Sequence, residues 1–209
     1  MKKYKITAFA MMLLSLMVTM ASCGEEDNTV EEYANWQATN DNFFNHLSDS
    51  VKALLEADPA RTDWKRLKTW SKSDELTGTN ADYIIVHVEK EGDATAEGTG
   101  CPLYTDTVTV SYTGRLLPSP SYPAGYVFDR TFYGEYDPET SATTDFSVSE
   151  VVDGFTTALL NMRRGDRWKV YIPYQLAYRN VDNGNIPAYS TVIFDLILTD
   201  FRSPAVQED

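Results

Sequence analysis

The chain has 209 residues, a formal net charge of −13 at pH 7 and 43% apolar residues. This length and composition are typical of one globular domain with additional segments. The acidic balance excludes a general nucleic-acid binder or anionic-membrane binder, because no basic patch could dominate the field of the molecule.

The first 22 residues are typical of a signal peptide. MKKYK is positively charged, and the apolar stretch 6–22 is shorter than the roughly 20 residues that span a bilayer. The following Met-Ala-Ser-Cys resembles a bacterial lipobox, so we expect Cys23 to carry lipid and residues 1–22 to be removed. The alternative is an ordinary signal with a chance cysteine. Several acyl chains anchor a protein stably, which predicts attachment to the bacterial cell envelope, at the outer membrane on its periplasmic or surface face.

Residues 23–32 are acidic and lack apolar periodicity, which predicts a flexible tether. Residues 33–80 are predicted to be a helical segment. Asp58-Pro59 ends its first helix, because a residue before proline avoids helical geometry, and a second short helix is expected around residues 64–70. These helices either pack on the main domain or form a homodimer interface. The apolar stripe of the first helix is Trp36, Phe43, Phe44, Leu47, Val51, Leu54 and Leu55.

Strand patterns begin at Tyr83 and continue almost to the end of the chain, and we place the main domain at residues 81–203 and a tail at 204–209. One segment, VVDGFTTALLNMRRGD, is helical instead: Val152, Phe155 and Leu159 share a stripe, and Gly165 follows as a stop. An antiparallel sheet covered by one helix is an α+β fold. The predicted strands lie in YIIVHVEKEG, DTVTVSYTG, YVFDRT, TDFSVS, DRWKVYIP and STVIFDLILTDF.

Strong catalytic nucleophiles and cofactor motifs are absent from the sequence. The two histidines, His46 and His87, are far apart and lack metal-ligand spacing, and no glycine-rich phosphate loop or nucleophile elbow occurs. We therefore expect no metal and no cofactor. Aromatic residues instead recur on several elements, where they form either a packed core or the walls of a binding pocket.

The ordered motifs VTVSYTG, VFD, FSVSEVVDGF, LLNMRRGD, IPYQLAY and IPAYSTVIFDLIL resemble the FKBP-type peptidyl-prolyl isomerases, from about Tyr83 to Phe201. The resemblance implies a half-wrapped antiparallel sheet around one short helix, here preceded by the N-terminal helical segment. It also implies isomerase activity, proline-containing polypeptides as substrates and FKBP-type macrolides as ligands.

The resemblance also implies roles for individual residues. Phe155 occupies the pocket floor, where the family usually has tryptophan. The Val152 backbone N–H and the Tyr178 hydroxyl match groups that donate hydrogen bonds to ligand carbonyls, and Asp129 matches the acidic residue at the pocket edge. The remaining wall residues are Tyr112, Phe128, Phe146, Val151, Ile186 and Phe194.

Rotation of an X–Pro bond needs no nucleophile. Its barrier of about 18–20 kcal/mol comes from lost amide resonance, so apolar walls and a few fixed donors are sufficient chemistry. Several departures from the family pattern favour an alternative, a weakly active or inactive module that binds or chaperones proline-containing segments. They are Phe155, Thr144 in place of an aromatic residue, Arg179 in place of glycine, and two enlarged loops, PSPSYPAGY and TFYGEYDPETSAT. Arg130 is the candidate partner of Asp129.

Overall fold

One antiparallel sheet of seven strands organises the chain, with two helices packed on it. A computed structural model describes residues 30–73, 75–92 and 100–204. The helices are Trp36–Ala57 (α1) and Asp153–Leu159 (α2). The strands are Trp64–Lys68 (β1), Tyr83–Lys90 (β2), Thr107–Arg115 (β3), Val127–Arg130 (β4), Thr144–Ser147 (β5), Arg167–Ile172 (β6) and Val192–Arg202 (β7).

The strand order is β1-β2-β6-β7-β3-β4, and β5 also pairs with β3. The two short strands share one edge of β3: β5 pairs along residues 107–110, and β4 pairs along residues 113–115. Strand β3 has two register shifts, one against β7 between Thr109 and Val110 and one against β4 between Gly114 and Arg115, and such irregularities increase local twist. The predicted α+β fold, a half-wrapped antiparallel sheet on one short helix, is confirmed.

The larger core lies between α2 and one face of the sheet. Phe155 and Leu159 of α2 pack with strand residues that alternate along β6, where Trp168, Val170 and Ile172 are all buried. That alternation follows the two-residue period of a strand and agrees with the sequence prediction. Each large apolar side chain buried in this way stabilises the fold by about 1.5–3 kcal/mol.

Helix α1 packs on the opposite face of the sheet within the same chain. Phe44 and Val51 form a second core with Ile85 of β2. The neighbours of Ile85 along the strand, Ile84 and Val86, belong to the larger core. Trp36 Nε1 donates a hydrogen bond to Ser190 Oγ at 2.8 Å. Of the two alternatives for the apolar stripe, the structure has the first, packing on the main domain.

Two sequence predictions about helices are wrong. Residues 64–68 form edge strand β1 rather than a second helix, because pairing with β2 places Trp64 against His87 on one face and Leu67 in the larger core on the other. The sheet thus begins upstream of the expected domain start at residue 81. Helix α2 ends at Leu159, so Gly165 (φ 85°) does not cap it but forms the turn before β6.

The segment before α1 contacts the loop between β3 and β4. The Glu32 carboxylate accepts hydrogen bonds from Ser119 Oγ at 2.6 Å and from the Ser121 N–H at 3.1 Å. The predicted signal peptide, Cys23 and most of the predicted tether lie outside the described residues. Among the helices of the described part, none is long and apolar enough to cross a membrane.

Candidate functional site

An aromatic cavity of ≈ 270 Å³ opens at the start of α2. Strands β3, β4, β5 and β7 and the loop that carries Tyr178 contribute its other walls. Every one of the predicted site residues in the main domain except Ile186 lies on its wall. The structure therefore brings together residues that are far apart in the sequence. The lining residues are Tyr112, Phe128, Asp129, Phe146, Glu150, Val151, Val152, Phe155, Tyr178 and Phe194.

Phe155, the residue predicted to be the floor, lines this cavity. Its ring meets the edges or faces of three other rings: Phe194 at 5.0 Å, Tyr112 at 6.2 Å and Phe146 at 6.2 Å between centroids. The interplanar angles of 79–85° are edge-to-face arrangements, which aromatic rings prefer over stacked sandwiches. Because its side chain is only 4% exposed, Phe155 is held in one orientation by its neighbours.

Gly114 of β3 allows two wall residues to approach the sheet backbone. A Cβ atom at this position would lie 2.6 Å from Phe128 Cζ and 2.7 Å from Phe194 Cε1. Both distances are too short for carbon atoms, so only glycine leaves room for the two rings. This role was not predicted, although the glycine lies within the VTVSYTG motif, because it depends on two rings that other strands bring to Gly114.

Tyr112 and Asp129 form the polar edge of the cavity. The Tyr112 hydroxyl donates to Asp129 Oδ2 at 2.5 Å, and the Arg130 backbone N–H donates to Asp129 Oδ1 at 2.8 Å. Burial, and then the hydrogen bond to Asp129, raise the pKa of Tyr112, so its hydroxyl remains protonated. The Arg130 guanidinium lies over the Tyr133 ring at 4.0 Å. The expected partner therefore reaches Asp129 through its backbone and not through its charge.

Val152 immediately precedes α2 and has extended backbone geometry. Its carbonyl accepts the Phe155 and Thr156 N–H groups at 2.9 and 3.0 Å. Its own N–H has no acceptor within the described ranges of the chain. This donor is therefore free to bind a carbonyl that enters the cavity.

Tyr178 is placed on the wall by a turn after β6. The Arg179 N–H donates to the Tyr174 carbonyl at 2.7 Å, and the Arg179 carbonyl accepts from the Tyr189 N–H at 2.8 Å. Burial, and then the negative charge of Asp129, raise the pKa of Tyr178. Its hydroxyl is therefore a second protonated donor group at the cavity.

Two residues differ from the predicted site. Ile186 is buried but does not line the aromatic cavity; it lines a second cavity with Glu32 and Tyr33 of the N-terminal segment. Conversely, Glu150 lines the aromatic cavity and was not predicted, although it directly precedes Val151 in the motif. Within the described residues, no group of three or more His, Cys, Asp or Glu side chains is placed to hold a metal ion.

Residues 100–199 match the family model described as FKBP-type peptidyl-prolyl cis-trans isomerase. Residues 100–199 belong to the FKBP-type family. The matched range includes all of the residues that line the aromatic cavity, and the FKBP motifs from Tyr112 to Phe194 therefore account for its walls. The roles of the individual FKBP-site residues stay predictions.

Several curated proteins are similar to this FKBP-type chain. The "Macrophage infectivity potentiator" of Trypanosoma cruzi is 39% identical over 110 residues, which are 52% of this chain and 50% of that protein. "Outer membrane protein MIP" of Legionella longbeachae is 39% identical over 168 residues, or 76% and 65% of the two chains. FkpA of Escherichia coli is 30% identical over 169 residues, or 80% and 56%. The chain thus spans about half to two thirds of the length of these relatives.

Solved FKBP-type structures also align with the chain. The crystal structure of FkpA from Escherichia coli aligns with a TM-score of 0.48 at 21% identity, covering 96% of this chain and 71% of that one. A peptidyl-prolyl cis-trans isomerase from Pseudomonas syringae aligns with a TM-score of 0.49 at 22% identity, covering 76% and 96%.

Proposed function

We propose that this chain is a peptidyl-prolyl cis-trans isomerase that assists the folding of exported proteins. Its substrates are polypeptide segments that contain proline. The observation that carries this proposal is the aromatic cavity, whose floor is Phe155 and whose wall presents the Val152 N–H and the Tyr178 hydroxyl. Membership of the FKBP-type family supports it.

The geometry favours rotation about the X–Pro bond without covalent chemistry. The proline ring lies on Phe155, and the Val152 N–H and Tyr178 hydroxyl hold flanking carbonyls so that one side of the bond stays fixed. The twisted amide is less polar than the planar amide, and an apolar cavity therefore favours it. Uncatalysed exchange takes tens to hundreds of seconds, which leaves ample scope for acceleration.

A protease-coupled assay on a short X-Pro-Phe peptide tests the proposal. The chain should shorten the slow phase of cleavage in proportion to its concentration. A rate equal to that of buffer alone, with the chain shown to be folded by near-ultraviolet circular dichroism, would reject isomerase activity.

The second candidate function is binding without efficient catalysis. It is favoured by Phe155, which gives a smaller floor than tryptophan. It is also favoured by Thr144 of β5, which pairs with Val110 of β3 and leaves Phe146 as the aromatic residue of β5 on the cavity. Under this alternative, proline peptides bind the cavity and their exchange rate stays at the uncatalysed value. The same assay therefore distinguishes the two functions.

We further propose that residues 1–22 are a signal peptide and that lipid on Cys23 anchors the chain to the bacterial cell envelope. The sequence around Cys23 supports this, as does similarity to the Legionella longbeachae "Outer membrane protein MIP". In a bacterial host supplied with labelled palmitate, the chain should take up label and Cys23→Ala should not. Label retained on Cys23→Ala would contradict the anchor.

The packing of α1 weighs against the alternative expected from the sequence, a homodimer formed through the N-terminal helices. Phe44 and Val51 are already buried against Ile85 of the same chain. Leu54 is the large apolar residue of α1 that stays exposed, at 41%. Sedimentation of the chain lacking residues 1–22 should give a monomer mass. A dimer mass would support the homodimer.

A further inference from the structure

We propose that the aromatic cavity selects prolyl segments that carry lysine or arginine beside the proline. The inference rests on the proposed isomerase function and names its substrate class. It comes from the charges on the cavity wall: Asp129 and Glu150 both line it, and no basic residue does. A substrate that enters the cavity therefore meets two carboxylates and no cation.

Both carboxylates are available to a substrate charge. Asp129 is held in place by neutral donors, the Tyr112 hydroxyl and the Arg130 N–H, which leave its negative charge uncompensated. Glu150 is exposed at the start of the cavity wall, next to Val151. Neither residue belongs to an ion pair in the part of the chain that the structure describes.

Two arginines follow cavity residues along the chain, but neither lines the cavity. The Arg130 guanidinium is drawn over the Tyr133 ring at 4.0 Å. Arg179 is exposed, and its backbone N–H and carbonyl form hydrogen bonds with the backbone of Tyr174 and Tyr189. Both arginines therefore lie outside the cavity wall, where the charged lining residues are the carboxylates of Asp129 and Glu150.

A second cavity, of ≈ 480 Å³, is more polar but also carries carboxylates. Its wall carries the carboxylates of Glu32 and Asp182 and again no basic residue. Part of its lining, between residues 182 and 187, belongs to the loop that follows Tyr178. Its aromatic lining residues are Tyr33, Tyr122 and Tyr126.

Lysine and arginine suit such a wall because their side chains are amphipathic. The methylene stem packs on aromatic surface while the charged head reaches a carboxylate or an aromatic face. A charge about 7 Å from one carboxylate, in a water-like dielectric, changes an equilibrium constant roughly threefold. Two carboxylates therefore give a lysine peptide an advantage of roughly tenfold over a neutral one at low salt, and screening removes most of it in about 1 M salt.

The test compares three peptides of the form Ala-Xaa-Pro-Phe, with lysine, norleucine or glutamate at Xaa. Norleucine matches the apolar stem of lysine and lacks its charge. The rate of exchange between cis and trans forms is measured by exchange NMR with catalytic amounts of the chain, which requires no protease. We expect kcat/KM to fall in the order lysine, norleucine, glutamate at low salt, and the three values to converge in about 1 M salt.

Variant Glu150→Gln keeps the size of the side chain and removes its charge, so it should reduce the lysine-to-glutamate ratio several-fold. Glu139→Gln is the matched control, because Glu139 is an exposed acid that lines neither cavity. Equal kcat/KM for the three peptides, or a ratio unchanged by Glu150→Gln, would overturn the inference while leaving isomerase activity intact. If no peptide is isomerised, the proposed function fails, and the order of the three binding affinities in the same spectra then decides the charge preference.

Discussion

Arg179 adopts a left-handed backbone conformation (φ 62°) directly after Tyr178. Glycine is usual at this position in the FKBP-type pattern, and a side chain there costs about 1–2 kcal/mol. The two backbone hydrogen bonds of Arg179 hold it in the conformation that glycine would adopt. The substitution therefore keeps the path of the loop, and it no longer argues against a working site at Tyr178.

Tyr178→Phe removes one donor from the cavity and leaves the ring in place. If the hydroxyl donates to a ligand carbonyl, affinity for an FKBP-type macrolide should fall by about 1 kcal/mol, the usual net contribution of one hydrogen bond. Isothermal titration measures this change. Tyr133→Phe is the control, because Tyr133 is 79% exposed and does not line the cavity. An affinity that is unchanged in Tyr178→Phe would remove Tyr178 from the donor role.

Gly114→Ala should damage both the cavity and the fold. The added Cβ would lie 2.6 Å from Phe128 and 2.7 Å from Phe194. The rings must shift, and overpacking of this kind costs about 1–3 kcal/mol. Urea unfolding measures the loss, with Gly100→Ala as the control, since no heavy atom lies within 4 Å of a Cβ there. Equal stability of the two variants would show that the ring positions do not depend on Gly114.

At the scale of elements, the docking of α1 depends on a buried asparagine. Asn40 is fully buried; its Oδ1 accepts the Thr191 N–H at 2.7 Å, and its Nδ2 donates to the Trp36 carbonyl at 2.7 Å. Asn40→Ala leaves the Thr191 N–H without its acceptor, which should lower the free energy of unfolding by about 1–3 kcal/mol.

Asn42→Ala on the same helix is the matched control for Asn40→Ala. Asn42 is exposed, and both substitutions give α1 the same gain in helix propensity. The difference between the two variants in chemical denaturation therefore reports the buried hydrogen bonds. A difference near zero would mean that α1 is held by its apolar stripe alone.

The strands β2 to β7 could be predicted from the sequence because their alternation and β-branched residues have a two-residue period. Edge strand β1 could not, because Trp64, Leu67 and Trp70 also fit the spacing of a helical turn and only pairing with β2 decides between them. The residues of the cavity wall could be predicted from the ordered motifs. The space that Gly114 leaves for two rings could not be predicted, because those rings belong to other strands.

At the scale of the whole molecule, partly buried tyrosines should make stability depend on pH. Burial is the main cause that raises the pKa of each of these tyrosines above the ordinary value of about 10. Unfolding therefore releases protons at alkaline pH, and the contribution of these tyrosines to stability should be constant below about pH 10 and fall above it. The residues are Tyr33, Tyr112, Tyr136, Tyr171, Tyr174 and Tyr178.

Denaturant unfolding between about pH 8 and about pH 11 measures this dependence. Tyr171→Phe should make the decline shallower, because the pKa of Tyr171 is raised by its burial and then by the charge of Glu89. A free energy of unfolding that stays constant across this range would show that the tyrosines titrate equally in the folded and unfolded states.

The central claim is that the aromatic cavity accelerates rotation about X–Pro bonds, and exchange NMR tests it most directly. The spectra of an Ala-norleucine-Pro-Phe peptide report binding through shift changes and catalysis through cis-trans exchange peaks. We predict exchange peaks at catalytic amounts of the chain, because uncatalysed exchange takes tens to hundreds of seconds and is too slow to produce them. Shift changes without exchange peaks, from a chain whose near-ultraviolet circular dichroism shows that it is folded, would contradict the claim and establish a binding module instead.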